Sequence, residues 1–371
     1  MKKLFVSILF FYLLLVPSTL FAQETESAYI RAQVLQVIET TYPIVFGNEI
    51  EFQRLEVQLP DGTKSQDIFN DYTPVKSGDI VYITQGYDPD TDTLGFFVRE
   101  IDRVFSMALL FVLFAVVYVL IAGMRGVRSL LALGLSVGLV WFVLIPLVVA
   151  GHSPLLVGLL ISLVILGVAI FITHGFTIVS LSSYVGSFIS IGVTVLFASF
   201  AVSIARISGL VGDESSTISV LYGSTIDLQG LILAGMIIGI LGVLDDVAIL
   251  QAAMVREFMY EKKYSYKQVF TKAMRVGQEH AAALVNTLVL AYTAVALPLF
   301  LIILAPANQF TQETLPFSLQ ISNELFVTEF IRSIVGSLGL VLTIPIVTLL
   351  AIFLFKKYPP TEPGHHHGHH H

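Results

Sequence analysis

Two patterns of apolar and polar positions divide the chain. From Gln23 to Asp102 the segments YIRAQVLQVIE, IEFQRLEVQL, DIVYITQ and LGFFVREI alternate apolar with polar residues, the period of a strand with one buried face. Turn signals separate them at Pro60-Asp61-Gly62, Ser77-Gly78-Asp79 and Asp88-Pro89-Asp90. From Phe105 onward the chain consists instead of long apolar runs between short polar junctions. A bilayer crossing takes about 20 apolar residues. The runs at 104–122, 129–150, 154–172, 176–204, 228–251, 281–304 and 331–355 each reach that length or come close. The pattern predicts a polytopic α-helical membrane protein of about seven transmembrane helices over 104–355. A small all-β domain, barrel or sandwich, precedes them over 23–103 on the extracytoplasmic side.

Composition supports a membrane protein. The 371 residues are 55% hydrophobic and 13% charged, with a mean hydropathy of +0.83. A soluble domain is typically about 45–50% apolar and about 25% charged. The net charge of −7 is spread without a basic stripe, which argues against a nucleic-acid partner. Cysteine is absent, so disulfides and thiolate chemistry are excluded. Lys2 and Lys3 ahead of LFVSILFFYLLLV, then Pro17, Ser18 and Leu20-Phe21-Ala22, read as a signal peptide over 1–22. An uncleaved anchor helix is the alternative, and either form exports the β-domain.

Charge sets the orientation. Arg125 and Arg128, then Arg256, Lys262, Lys263, Lys267, Lys272 and Arg275, then Lys356 and Lys357 occupy alternate junctions. The opposite junctions are mainly acidic, with Asp213, Glu214 and Asp227 against Arg206, and with Glu313 after PANQF. The positive-inside rule then predicts a multi-pass protein of the bacterial cytoplasmic (inner) membrane, its β-domain outside and its C-terminus inside. The junction Thr173–Gly175 carries no Lys or Arg and leaves that part of the topology open. The tail 356–371, ending GHHHGHHH, is either a native metal-chelating segment or a purification tag. Asp88, Asp90 and Asp92 are spaced like the start of a calcium loop. Thr93 and Arg99 stand where such a loop needs Gly and Glu, so an acidic turn is the better reading.

The candidate chemistry lies in the polar residues inside the apolar runs. In GVLDDVAILQ, Asp245 and Asp246 interrupt the fifth run. An aspartate at the centre of a span costs roughly 2.5–3.5 kcal/mol on insertion scales, so it usually faces a cavity or an ion path. Gly235, Gly239, Gly242 and Asp246 fall on one helical face, and glycines allow a neighbouring helix to approach. That places Asp246 toward the bundle interior. A position at the cytoplasmic interface is the alternative, and Asp245 points elsewhere without an evident role. In the sixth run Glu279, Asn286 and Thr293 are spaced by seven, with Thr287 and Tyr292 beside them. With Asp246 they make an oxygen-rich set suited to a proton or a hard divalent cation. Helix-to-helix hydrogen bonding explains the same residues equally well.

Several features read as structural. SYKQVFTKAMRVGQEH, opening on the capping box Ser265 and Gln268, predicts an amphipathic helix at the membrane interface or a lid on the bundle. His152 and His174 are isolated at junctions, and Ser153-Pro154 reads as a helix start. Glu324, Thr328 and Arg332 share one side of the last run, with Glu329 three residues before Arg332, a salt-bridge spacing. Gly336, Gly339 and Pro345 predict close packing and a bend.

At these residues the second half of the chain resembles the YibE/F family of multi-pass bacterial membrane proteins. The resemblance is carried by GQEHAAALVNTLVLAYTAVALPLFL, by GILGVLDDVAI and by EFIRSIVGSLGLVLTIPI, in that family's order and spacing, over roughly 105–355. It implies that the family's aspartate is Asp246, its Asn-Thr pair Asn286 and Thr287, and its Glu–Arg pair Glu329 and Arg332. Asp245 departs from an apolar residue, and Glu279 stands where aspartate is commoner. The resemblance implies a fold and a general supposition of transport.

The function expected is a transporter or permease for a small solute or ion. The alternative is a non-transporting assembly or envelope-sensing component whose β-domain binds an extracytoplasmic protein. An intramembrane enzyme is not expected, because HExxH, GxSxG and a second aspartate motif are all missing. No residue pattern names a cofactor.

Overall fold

Five curved strands close on themselves ahead of the first long helix. They are β1 (Tyr29–Thr41), β2 (Phe52–Gln58), β3 (Lys64–Asn70), β4 (Ile80–Asp88) and β5 (Thr93–Ile101). The computed structural model describes residues 29–45, 48–88, 93–304 and 316–360. The signal segment 1–22, Pro89 to Asp92 of the acidic turn, PANQF with Glu313, and the histidine tail lie outside the described residues. The chain divides into two compact units, Met1–Ile121 and Ala122–His371.

In the first unit the strand order is β1-β2-β3-β5-β4, closed, with β3 and β5 parallel and the other pairs antiparallel. This is the connectivity of an OB-type barrel. Strand β1 can pair with both β2 and β4 because register shifts at Val34/Gln36 and Val37/Glu39 bend it round the barrel. Ala32, Val34, Leu55, Val57, Ile68, Val81, Ile83 and Val98 fill the interior. Strand β3 is the one that the alternation missed. KSQDIFN buries only Ile68 and Asn70, and Asp67 takes a positive φ of 68°, so its apolar period is broken. Asn70 is fully covered and donates to the side-chain oxygen of Gln53 (2.9 Å) and to the Thr73 carbonyl (2.8 Å). That pairing meets the hydrogen-bond demand of two buried amides.

Asp102 ties the barrel to the helix that comes after it. Its carboxylate accepts from the Val104 amide (3.0 Å) and from Arg31 Nε (2.8 Å). These two bonds, the amide first, hold it below the usual carboxylate range. A lowered folded-state value stabilises above the unfolded value of about 3.9 and is lost as the pH falls through the folded value. Asp102→Asn is therefore expected to weaken protection at the Val104 amide near neutral pH and to flatten its acid dependence. Hydrogen exchange corrected for intrinsic rates measures this. A variant with the wild-type acid profile would show that the carboxylate contributes nothing.

The second run of elements begins with α1 (Val104–Val149). It is broken at Gly123, where φ is 59°, and passes through a π-helical turn at Val140–Leu144. Two of the expected spans thus follow one another across a kink at Gly123. Beyond it come α2 (Pro154–His174), α3 (Ile178–Ile204), α4 (Gly212–Tyr222), α5 (Leu228–Tyr260), α6 (Tyr266–Val295), α7 (Leu297–Leu304), α8 (Phe317–Ile321) and α9 (Glu324–Lys357). Among the described residues five helices, α1, α2, α3, α5 and α9, are long and apolar enough to cross a membrane. Ser153 precedes Pro154 at the start of α2, but its hydroxyl makes no cap bond. The capping box of Ser265 and Gln268 is formed.

Of the two readings of 265–280, an interfacial helix or a lid on the bundle, the packing agrees with the lid. α6 runs unbroken into the expected sixth span, and its apolar side, Val269 and Ala273, packs on Ala252, Val255 and Ala351. Burial against two helices outweighs the pull of a water–lipid boundary.

Close contacts set the helix directions. Gly158 of α2 abuts Ala234 of α5, while His174 and Asp246 share a cleft, so α2 and α5 run parallel. Gly186 meets Val347 and Gly339 meets Thr194, so α3 opposes α9. Gly277 meets Ile344 and Gly336 meets Leu288, so α6 opposes α9 as well. The close packing expected at Gly336 and Gly339 is present, and α9 continues through Pro345. The uncharged junction Thr173–Gly175 is thereby placed at the same end of the bundle as the basic α5–α6 connection.

Candidate functional site

The large apolar side chains of α5 decide which of its faces turns inward. Leu233, Ile237, Ile240, Leu244, Ala248 and Val255 are buried, and Gly235, Gly239, Gly242 and Asp246 lie on the opposite side. The close glycine seam expected from the sequence is corrected on this point, although Gly242 and Asp246 do line an interhelical cleft. A Cβ on Gly235 or Gly242 would meet nothing within 4 Å, and one on Gly239 would meet only the Tyr292 hydroxyl at 3.0 Å. Leu and Ile remove far more apolar area than glycine can, so they take the core. Asp246 is exposed, and Asp245 is half-buried beside α2.

Both aspartates line one cleft of about 490 Å³ between α1, α2 and α5. Ser129, Ser136, Thr173, His174, Asp245 and Asp246 are its polar residues, and Leu133, Val137, Ile165, Leu166, Ile238 and Leu241 line much of the rest. Asp245 Oδ1 accepts from the Asp246 amide at 3.1 Å. His174 and His280 are within electrostatic reach of Asp246, and Arg125 is within reach of His174. No Lys or Arg side chain lines the cleft among the described residues.

The expected partnership of Asp246 with the sixth span is not what forms. Asn286 lines a different cavity of about 570 Å³ between α6 and α9, with Gln278, Met274, Val341 and Pro345. Proline has no N–H to give the carbonyl one turn earlier, so Val341 lacks its helical donor there. Thr287 and Thr293 donate to their own helix, at the Ala283 (3.1 Å) and Val289 (2.8 Å) carbonyls. Glu279 is exposed and faces Arg275 at 3.9 Å. Tyr292 rests on Gly239 and Gly336. A seven-residue spacing on one helix put these groups in line, but the neighbours of that helix divide them between separate environments.

At the far end of the bundle Arg332 donates to both Glu329 oxygens (2.7 and 2.9 Å), as the spacing predicts. Glu324 does not join them. Its carboxylate accepts from the Ser208 amide (2.6 Å), the Ser208 hydroxyl (2.8 Å) and the Gly209 amide (3.0 Å), pinning the end of α3 to the start of α9.

Sequence reasoning passed over Gln251. It is 2% exposed and donates to the Ala273 carbonyl (3.0 Å) and to Thr348 Oγ1 (2.7 Å), joining α5, α6 and α9. A lone amide in the apolar run VAILQAAMV was the available signal. The buried line Ser180, Ser183, Ser187, Ser190 and Thr194 of α3 was also missed. Ser183 donates across to the Ala248 carbonyl at 3.0 Å, and small hydroxyl residues let membrane helices approach.

Among the described residues no group of three or more His, Asp and Glu side chains is arranged to hold a metal ion. The class is therefore a polytopic helical membrane protein with a small β-barrel domain and a carboxylate-bearing cleft in its bundle. The sequence model of the YibE/F-like protein family matches residues 110–357, more than half of the chain, and the chain belongs to that family. No curated protein and no solved structure matches it.

Proposed function

We propose that the protein is a transporter of the bacterial cytoplasmic membrane whose working carboxylates are Asp245 and Asp246. One observation carries this reading: both aspartates line a solute-sized cleft between helices with no Lys or Arg opposite them. Carboxylates within an apolar span are expensive, and their use in ion or solute paths is the common reason they are kept. In this reading the helix broken at Gly123 makes two crossings, and α6 with α7 makes another, for seven in all. The basic end of the bundle faces the cytoplasm, and the β-barrel is exported. The carboxylates alternate between holding a proton and holding the solute as the bundle opens to either side. The protein acts as a carrier rather than as an enzyme.

The test is reconstitution of wild type and Asp246→Asn in liposomes, following internal pH under imposed proton and divalent-cation gradients. Wild type is expected to move protons, and the variant to lose at least about tenfold of that rate, or about 1.4 kcal/mol. Equal flux in both would remove Asp246 from the mechanism. No flux in either would transfer the function to the β-barrel as a binding module for an extracytoplasmic partner.

A further inference from the structure

Resting on the carrier reading above, we propose that the solute taken by the α1–α2–α5 cleft is an amphipathic organic cation, an ammonium or onium group on a hydrocarbon body. Three observations converge. The cleft holds about 490 Å³, within the range of roughly 300–1,000 Å³ typical of small-molecule sites and far more than a bare ion fills. Its chemistry is mixed: Asp245, Asp246, Thr173 and His174 with two α1 serines supply the polar groups, while aliphatic side chains such as Leu133, Val137, Ile165 and Leu241 supply most of the wall. The side chains are also wrong for a metal, since no group of three or more His, Asp and Glu is suitably placed among the described residues.

The charge balance selects the sign. Two carboxylates with no Lys or Arg lining the cleft repel an anion and leave a zwitterion's carboxylate unmatched. A cation restores neutrality, and carboxylate oxygens accept from its N–H groups where it has them. No Phe, Tyr or Trp ring lines the cleft among the described residues, so cation–π attraction to such a ring is not the recognition device. Charge is read by the aspartates, and the body is held by aliphatic burial. An uncharged hydrocarbon would gain little, because lipid tails are as apolar as the walls. Selectivity over lipid itself therefore depends on the positive group.

The experiment measures binding of tetraphenylphosphonium to the full chain in nanodiscs by equilibrium dialysis, with protein-free nanodiscs subtracted for partitioning into lipid. Binding of tetraphenylborate, of the same size and opposite charge, is measured in separate samples, because the two ions pair with each other. Saturable binding of the phosphonium is expected, and none of the borate. Kd should rise about tenfold or more in Asp245→Asn with Asp246→Asn. It should also rise in Val137→Trp, which fills the cleft from a position that is 58% exposed and so leaves the core intact. Equal affinities in all three proteins, equally tight binding of the borate in its own samples, or displacement of the phosphonium by millimolar magnesium would each overturn the proposal. Proton flux separates the two failures. Flux that still depends on Asp246 while phosphonium binding does not would leave the carrier and remove only this solute class.

Discussion

Gly186→Leu is expected to leave little folded protein in the membrane, with a loss of about 3 kcal/mol or more. Overpacking a well-packed core typically costs about 1–3 kcal/mol. At Gly186 even the first added atom lies 2.5 Å from Val347 Cγ2 and 3.2 Å from the Val347 Cα, so α9's own backbone would have to move. The rest of a leucine has nowhere to go. A second contact, Gly339 on Thr194, holds the same helix pair in register further along, which prevents a simple tilt from relieving the clash. Gly235→Leu is the contrasting variant. Nothing lies within 4 Å of its Cβ position, and its effect should stay within about 0.5 kcal/mol. Equilibrium unfolding in mixed micelles reads both. Near-equal losses at the two glycines would refute the inward and outward faces assigned to α3 and α5.

Gln251→Ala is expected to cost about 3 kcal/mol, and Gln251→Leu about 1–2 kcal/mol. The alanine variant empties a fully packed position, and truncations of that size in cores cost about 2–5 kcal/mol. It also loses the bonds to the Ala273 carbonyl and Thr348 Oγ1. The leucine variant keeps the volume and loses only the bonds, which within membranes average about 0.6 kcal/mol each. Thr348 keeps the bond that it donates to the Ile344 carbonyl. Gly277 sharpens the test, because its Cβ position is 2.8 Å from Gln251 Oε1 and 2.5 Å from Ile344 Cγ2. The amide is held from three helices at once. If leucine proved as costly as alanine, the hydrogen bonds rather than the packing would be what joins α5, α6 and α9.

Much of the architecture is legible in the chain alone. Alternation marked four of the five barrel strands, because a strand with one buried face writes its period of two into the sequence. Strand β3 stayed hidden because Asp67 and the polar KSQ replace that period. The apolar runs located the long helices, since every backbone group in lipid must bond within its own segment. Their charged junctions and the motif order around Asp246, Asn286 and Arg332 carried the family, which the match over 110–357 bears out.

Which faces meet was settled only in three dimensions. In water a polar face turns outward and periodicity reveals the core. In lipid both faces of a span are apolar, so Gly235, Gly239 and Gly242 could be read as an inward seam when α5 in fact buries Leu233, Ile237 and Leu244. Spacing by seven set Glu279, Asn286 and Thr293 on one line, but that line faces no aspartate. The carboxylates found α1 and α2 instead, and the arginines that α1 carries, Arg125 and Arg128, do not line the cleft they share. Sequence placed each polar group on its own helix by covalent periodicity. Only packing, which depends on the shapes of all the helices together, decided which groups share a cleft.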